Sequence, residues 1–162
     1  MRKARLSFFG LFAIFAATTG CIKSTILNGQ IKGTREGSVA VDTLSDYEVA
    51  RGIAYAGLGQ FEGMHQLSPE NEDALFLLIK GWTASGFGFI EDDYEIAVDA
   101  EDEAKAEYHR ARARAAYDRA IQYGIQLMQM RVPGFEKSKT NANTIKQYLS
   151  GFEKKDALSL LW

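Results

Sequence analysis

This chain is poor in the residues that build covalent or metal chemistry. One cysteine, Cys21, leaves no internal disulfide. The two histidines, His65 and His109, lie far apart, with no ligand-spaced partner and no serine or cysteine nucleophile beside them, so both read as helix-surface residues. No glycine-rich phosphate loop and no triad spacing occurs. We therefore read no catalytic residues, no metal site and no cofactor, and do not expect an enzyme. The formal net charge is −2. A basic face for nucleic acid phosphates is not expected from it. Only Pro69 and Pro133 are available to break helices, alanine is abundant, and β-branched runs stop near residue 45. That composition is all-α.

The longest apolar stretch, Leu6 to Ala17, is too short for a bilayer, which needs roughly 20 residues. Its flanks give it another meaning. Three cations precede it in MRKAR, and Thr18-Thr19-Gly20-Cys21 follows. A basic start, a short apolar core and a small-residue cleavage site describe a secretory signal. A cysteine just past that site is where a bacterial lipoprotein carries its acyl chains, although Thr18 stands where such signals usually have Leu. Lipidation at Cys21 would give a stable anchor, since each buried methylene contributes about 0.8 kcal/mol. Ile22 rather than Asp follows, which favours the periplasmic face of the outer membrane. Losing Arg2, Lys3 and Arg5 with the leader takes the charge to −5. The organisation expected is a signal over 1–20, a lipid-anchored tether over 21–44 with at most one short helix, and a helical domain over 45–162. The apolar end, LSLLW, suggests that this domain continues.

Ser45 or Asp46 is positioned to cap the first long helix, which runs to Pro69. Four glycines inside it (Gly52, Gly57, Gly59, Gly63) predict close helix–helix approach. Ser68-Pro69-Glu70 reads as the start of a second helix reaching Ile90, apolar around most of its circumference and hence central, with Trp82 in the core. Glu91 to Glu103 holds eight acids and no base, and reads as a solvated linker containing a loop. It lacks the Asp/Asn-Gly pattern of a calcium loop. Its residues Asp92, Asp93 and Glu95 would steer the domain toward a basic partner. A third helix covers 101 to about 130, with Ala106, Ala113, Tyr117, Ala120, Gly124 and Leu127 inward and Arg110, Arg112, Arg114 and Arg119 elsewhere. Two shorter helices follow, about 141–152 and from 155. The aromatics Trp82, Phe87, Phe89 and Tyr94 read first as core. Gly81, Gly86 and Gly88 leave room beside them, so a small apolar ligand would sit there.

Gly57, Phe61, Met64 and Pro69, then Leu75, Leu78 and Trp82, follow tetratricopeptide spacing, and Ala113, Tyr117 and Ala120 repeat part of it. The fold expected is all-α, with antiparallel helix pairs in a tetratricopeptide-like bundle or solenoid. A plain antiparallel bundle is the alternative.

The segments DYEVARGIAYAGLGQFEGM (46–64) and SPENEDALFLLIKGWTASGFGFIEDD (68–93) resemble the T-component lipoproteins of TRAP transporters. The likeness includes Arg51, Glu62-Gly63, and an aromatic segment closing on acids at Phe87, Phe89, Glu91 and Asp92. An arginine-bearing helix over 101–130 and an aliphatic segment ending in Trp162 extend it. Tyr55 departs from the pattern, standing where a helix-kinking proline is expected. The resemblance implies a periplasmic, lipid-anchored helical protein that associates with the transporter's solute-binding protein, with oligomers and a ligand-passing cavity. The alternative class is a tetratricopeptide lipoprotein adaptor in envelope or outer-membrane protein assembly.

Overall fold

The computed structural model describes residues 24–162, so the signal and Cys21 lie outside the described residues. Helix α1 covers 24–37, and a 3-10 turn, Ser38–Thr43, follows it. Then come α2 (Tyr47–Leu67), α3 (Glu72–Ser85), a π turn (Gly86–Ile90), α4 (Glu91–Asp99) and α5 (Glu103–Arg131). The short helices α6 (Phe135–Ser138), α7 (Ala142–Leu149) and α8 (Ala157–Leu161) complete the chain. Among the described residues there is no strand, and the all-α reading holds.

Side-chain caps set where these helices begin. The Asp46 carboxylate accepts the Val49 N–H at 3.0 Å, and Asp102 accepts that of Lys105 at 3.1 Å. Asn141 opens α7 with a capping box closed by Thr144. The start of α3 differs from expectation. Asn71, not Ser68, is the cap, accepting the Ala74 N–H at 3.0 Å. Ser68 instead ends α2, and its hydroxyl donates to Asn28 on α1.

Helix α3 is central, as its apolar circumference predicts. Ala74 through Ile79 are all buried. Ala74 and Leu77 meet Met64 of α2 and Ile31 of α1, whereas Leu75 and Ile79 meet Leu127 of α5. Further along, Ile90 packs against Ala113 and Ala116. These pairings run α2 and α5 antiparallel to α3. Helices α2 and α3 pair antiparallel, but a tetratricopeptide-like repeat or solenoid is not established among the described residues. Helix α5 lies along α3 and α4.

Three expectations need correction. First, residues 24–43 are not simply a tether. Ile31 is fully buried and Asn28 accepts from Ser68 and Asn71, so α1 packs on the domain despite its glycines. Second, the acidic stretch is helical over Glu91–Asp99, and the loop shrinks to 100–102, where Glu101 takes φ 55°. Third, the close approaches lie elsewhere than in α2. A Cβ at Gly52, Gly59 or Gly63 would meet nothing within 4 Å, and one at Gly57 meets Phe61 of the same helix. Across helices, Gly81 faces Leu58 at 3.0 Å and Gly86 faces the Tyr117 ring at 3.2 Å.

Candidate functional site

Two features stand out: a charged seam joining α2, α3, α4 and α5, and an apolar groove beside α1. The seam has two nodes. At one, the Arg51 guanidinium donates to both Asp93 oxygens, at 3.0 and 2.6 Å. Such a bidentate pair is oriented as well as charged. Arg112 approaches the same carboxylate at 3.5 Å and His109 at 3.8 Å. One residue earlier, Asp92 accepts from the Tyr47 hydroxyl at 2.8 Å. Burial first, and that hydrogen bond second, push Tyr47 up to about 12. The Phe89 ring stands edge-on to Tyr47 and Tyr55, at 5.3 and 6.0 Å between centroids.

At the other node Glu62 of α2 accepts from three partners. Arg119 donates at 2.7 and 2.8 Å, Tyr123 at 2.6 Å and the Trp82 indole at 2.9 Å. Burial by itself would raise the Glu62 pKa. The hydrogen bonds from Arg119, then Tyr123, then Trp82 outweigh it and hold the group down at about 2. Tyr123 moves the opposite way, to about 12, through burial and then its bond to Glu62. His65 lies edge-on to Tyr123 at 5.2 Å, and burial pushes its pKa down. This arrangement cross-links helices. It presents no nucleophile next to a base, and no metal-binding cluster of acids, histidines or cysteines occurs among the described residues.

The groove lies between the 3-10 turn, α2 and α3, with a volume of about 520 Å³. Apolar and small residues make up most of its lining, and Asp42 and Lys80 stand at it as an ion pair of 2.6 Å.

The family model of the TRAP transporter T-component matches residues 43–162. The chain belongs to this family. No curated protein and no solved structure matches it. Membership gives the chain an accessory role in TRAP transport, and the matched span includes Arg51 and Glu62. Both are the α2 anchors of the two nodes. Tyr55, where the resemblance predicts a helix-kinking proline, sits inside an α2 that runs unbroken over Tyr47–Leu67.

The four aromatics expected to line a ligand site lie in different surroundings. Trp82 is half-buried, packed against the Ile90, Ala113 and Ala116 cluster and tied to Glu62. Phe89 packs with Tyr47 and Tyr55, and Tyr94 lies under Arg110. Phe87 is 72 % exposed on the π turn. The acidic steering triplet is divided too. Asp93 is held by Arg51 and Asp92 by Tyr47, while Glu95 is exposed. His109 is not a plain surface residue, because its side chain is mostly covered beside Asp93. The sequence held one signal for the nodes: Glu62 and Arg119 each stand one turn from a buried apolar residue, Leu58 and Ala116.

Proposed function

We propose that this T-component is a lipid-anchored scaffold on the periplasmic face of the outer membrane that docks the solute-binding protein of a TRAP transporter. Family membership over 43–162 carries the reading. The leader order ending in Cys21 supports the anchor. Among the described residues no helix is long and apolar enough to cross a membrane.

The outward face of α2 supports docking. Val49 and Leu67 are exposed there, and Gly52, Gly59 and Gly63 lie between them with open space at their Cβ positions. A partner helix can approach such a face closely. Glu95 supplies exposed negative charge for encounter with a basic partner, so association slows as salt rises. Co-purification from membranes tests the whole reading. Wild type is expected to fractionate with membrane, carry acyl mass on Cys21 and bring the solute-binding protein with it. Cys21→Ser is expected to lose the first two properties only. Equal membrane retention of both proteins removes the anchor, and recovery of an envelope-assembly protein in place of the solute-binding protein favours the adaptor class.

A further inference from the structure

We propose that the groove between the 3-10 turn, α2 and α3 binds an amphiphilic carboxylate, whose head group takes the place of Asp42 on Lys80. At about 520 Å³ the groove falls in the size range of sites for small organic molecules. Ile53, Ala54, Phe61, Leu77 and Ala84 give it an apolar lining suited to a hydrocarbon body. Among the described residues that line it, Lys80 is the only cation and Asp42 the only acid.

The two halves of that ion pair are held very differently. The Lys80 side chain is 14 % exposed and that of Asp42 56 %. Lys80 directly follows the buried run Ala74–Ile79 of α3, so its position is fixed by the core. Asp42 belongs to the turn Ser38–Thr43, which has no buried residue. The carboxylate therefore returns to water easily, whereas the ammonium stays at the groove. A fixed cation with a loosely held counter-ion exchanges one carboxylate for another.

A second cavity of about 440 Å³ adjoins the first, and Ser38, Asp42 and Lys80 line both. The ion pair thus stands at the boundary between the apolar groove and a more polar space, where Arg35 pairs with Asp73 and Lys32 with Glu36. An ionised head at Lys80 faces that polar space while its tail lies in the groove. The match to the T-component family begins at residue 43, so the turn carrying Asp42 precedes it. The proposal does not depend on protein docking, which is read by a different experiment.

The test is calorimetric titration of the full chain carrying Cys21→Ser, so that no acyl group competes. Octanoate, octanol and octylammonium are the probes, equal in tail and different in head. Octanoate is expected to bind about tenfold or more tightly than octanol, with octylammonium weakest, since a fixed ammonium discriminates by charge. Asp42→Asn is expected to tighten octanoate several-fold by removing the internal competitor, and to leave octanol unchanged. Lys80→Met is expected to bring octanoate down to octanol. Asp42 is exposed, so its variant keeps the fold even where the Lys80 variant does not. Equal affinity for octanoate and octanol, no binding of octanoate at millimolar concentration, or no gain from Asp42→Asn overturns the proposal.

Discussion

Glu62 of α2 and Arg119 of α5 form a two-bond fork, at 2.7 and 2.8 Å, across 57 positions of sequence. Trp82 of α3 completes the link, so one carboxylate ties the three principal helices. Its folded pKa of about 2 lies below the ordinary value of 4.5. A depressed carboxylate adds stability that is fully present above the ordinary pKa and is lost as pH falls through the folded one. Between about pH 4.5 and 2 the protein should lose on the order of 2 to 3 kcal/mol from this group. Urea unfolding across that window measures it. Glu62→Gln is expected to be less stable at neutral pH and to flatten the loss. An unchanged acid slope in the variant would show that other carboxylates carry the transition.

Leu78 and Trp82 are held in different ways. Leu78 is fully buried, so Leu78→Ala is expected to cost about 2–5 kcal/mol. Trp82 is half-buried and donates one hydrogen bond. Trp82→Phe keeps the ring packing, and losing that bond to a charged acceptor costs about 1.5–3 kcal/mol. Denaturation midpoints at constant slope decide this. A Trp82→Phe loss well above about 3 kcal/mol places the indole in the core after all.

The glycines give opposite signs. Gly59 lies in mid-helix with nothing within 4 Å of a Cβ, so Gly59→Ala is expected to stabilise by up to about 1 kcal/mol. At Gly86 a Cβ would already sit 3.2 Å from the Tyr117 ring, and Gly86→Val is expected to cost about 1–3 kcal/mol. Thermal unfolding of the two variants checks the pair. A shift of the same sign in both contradicts the packing described.

Local signals made much of this fold legible. Asp46 caps α2, and the apolar circumference of α3 matches its burial. The acidic stretch misled because charge was read as solvation. Asp92 and Asp93 are partnered by Tyr47 and Arg51, more than 40 residues away, and that pairing cannot be seen in a local window. Helix α1 was hidden for a related reason: Ile31 is its one buried residue, and its other ties, Asn28 to Ser68 and Arg35 to Asp73, reach about 40 positions along the chain. The surroundings of the aromatics were not legible either, because the π turn sends Phe87 outward while Phe89 packs against α2.

Asp93 and Glu95 test that account of the acidic stretch. Asp93→Ala leaves Arg51 and Arg112 without their shared carboxylate in a half-covered site, and a loss of about 1–3 kcal/mol is expected. Glu95→Ala is exposed and should change stability by less than about 0.5 kcal/mol. Urea unfolding at neutral pH compares them. Equal, small losses would return Asp93 to the role of a solvated charge.

The docking claim is tested most directly by titrating the solute-binding protein of the same TRAP system against this chain with and without Gly59→Arg. Nothing lies within 4 Å of a Cβ at Gly59, so the substitution keeps the fold while blocking close approach to α2. The account predicts a complex with a dissociation constant of about 1 µM or tighter, weakened by salt, and at least about tenfold weaker in the variant. No complex at high concentration, or one that Gly59→Arg leaves unchanged, contradicts it.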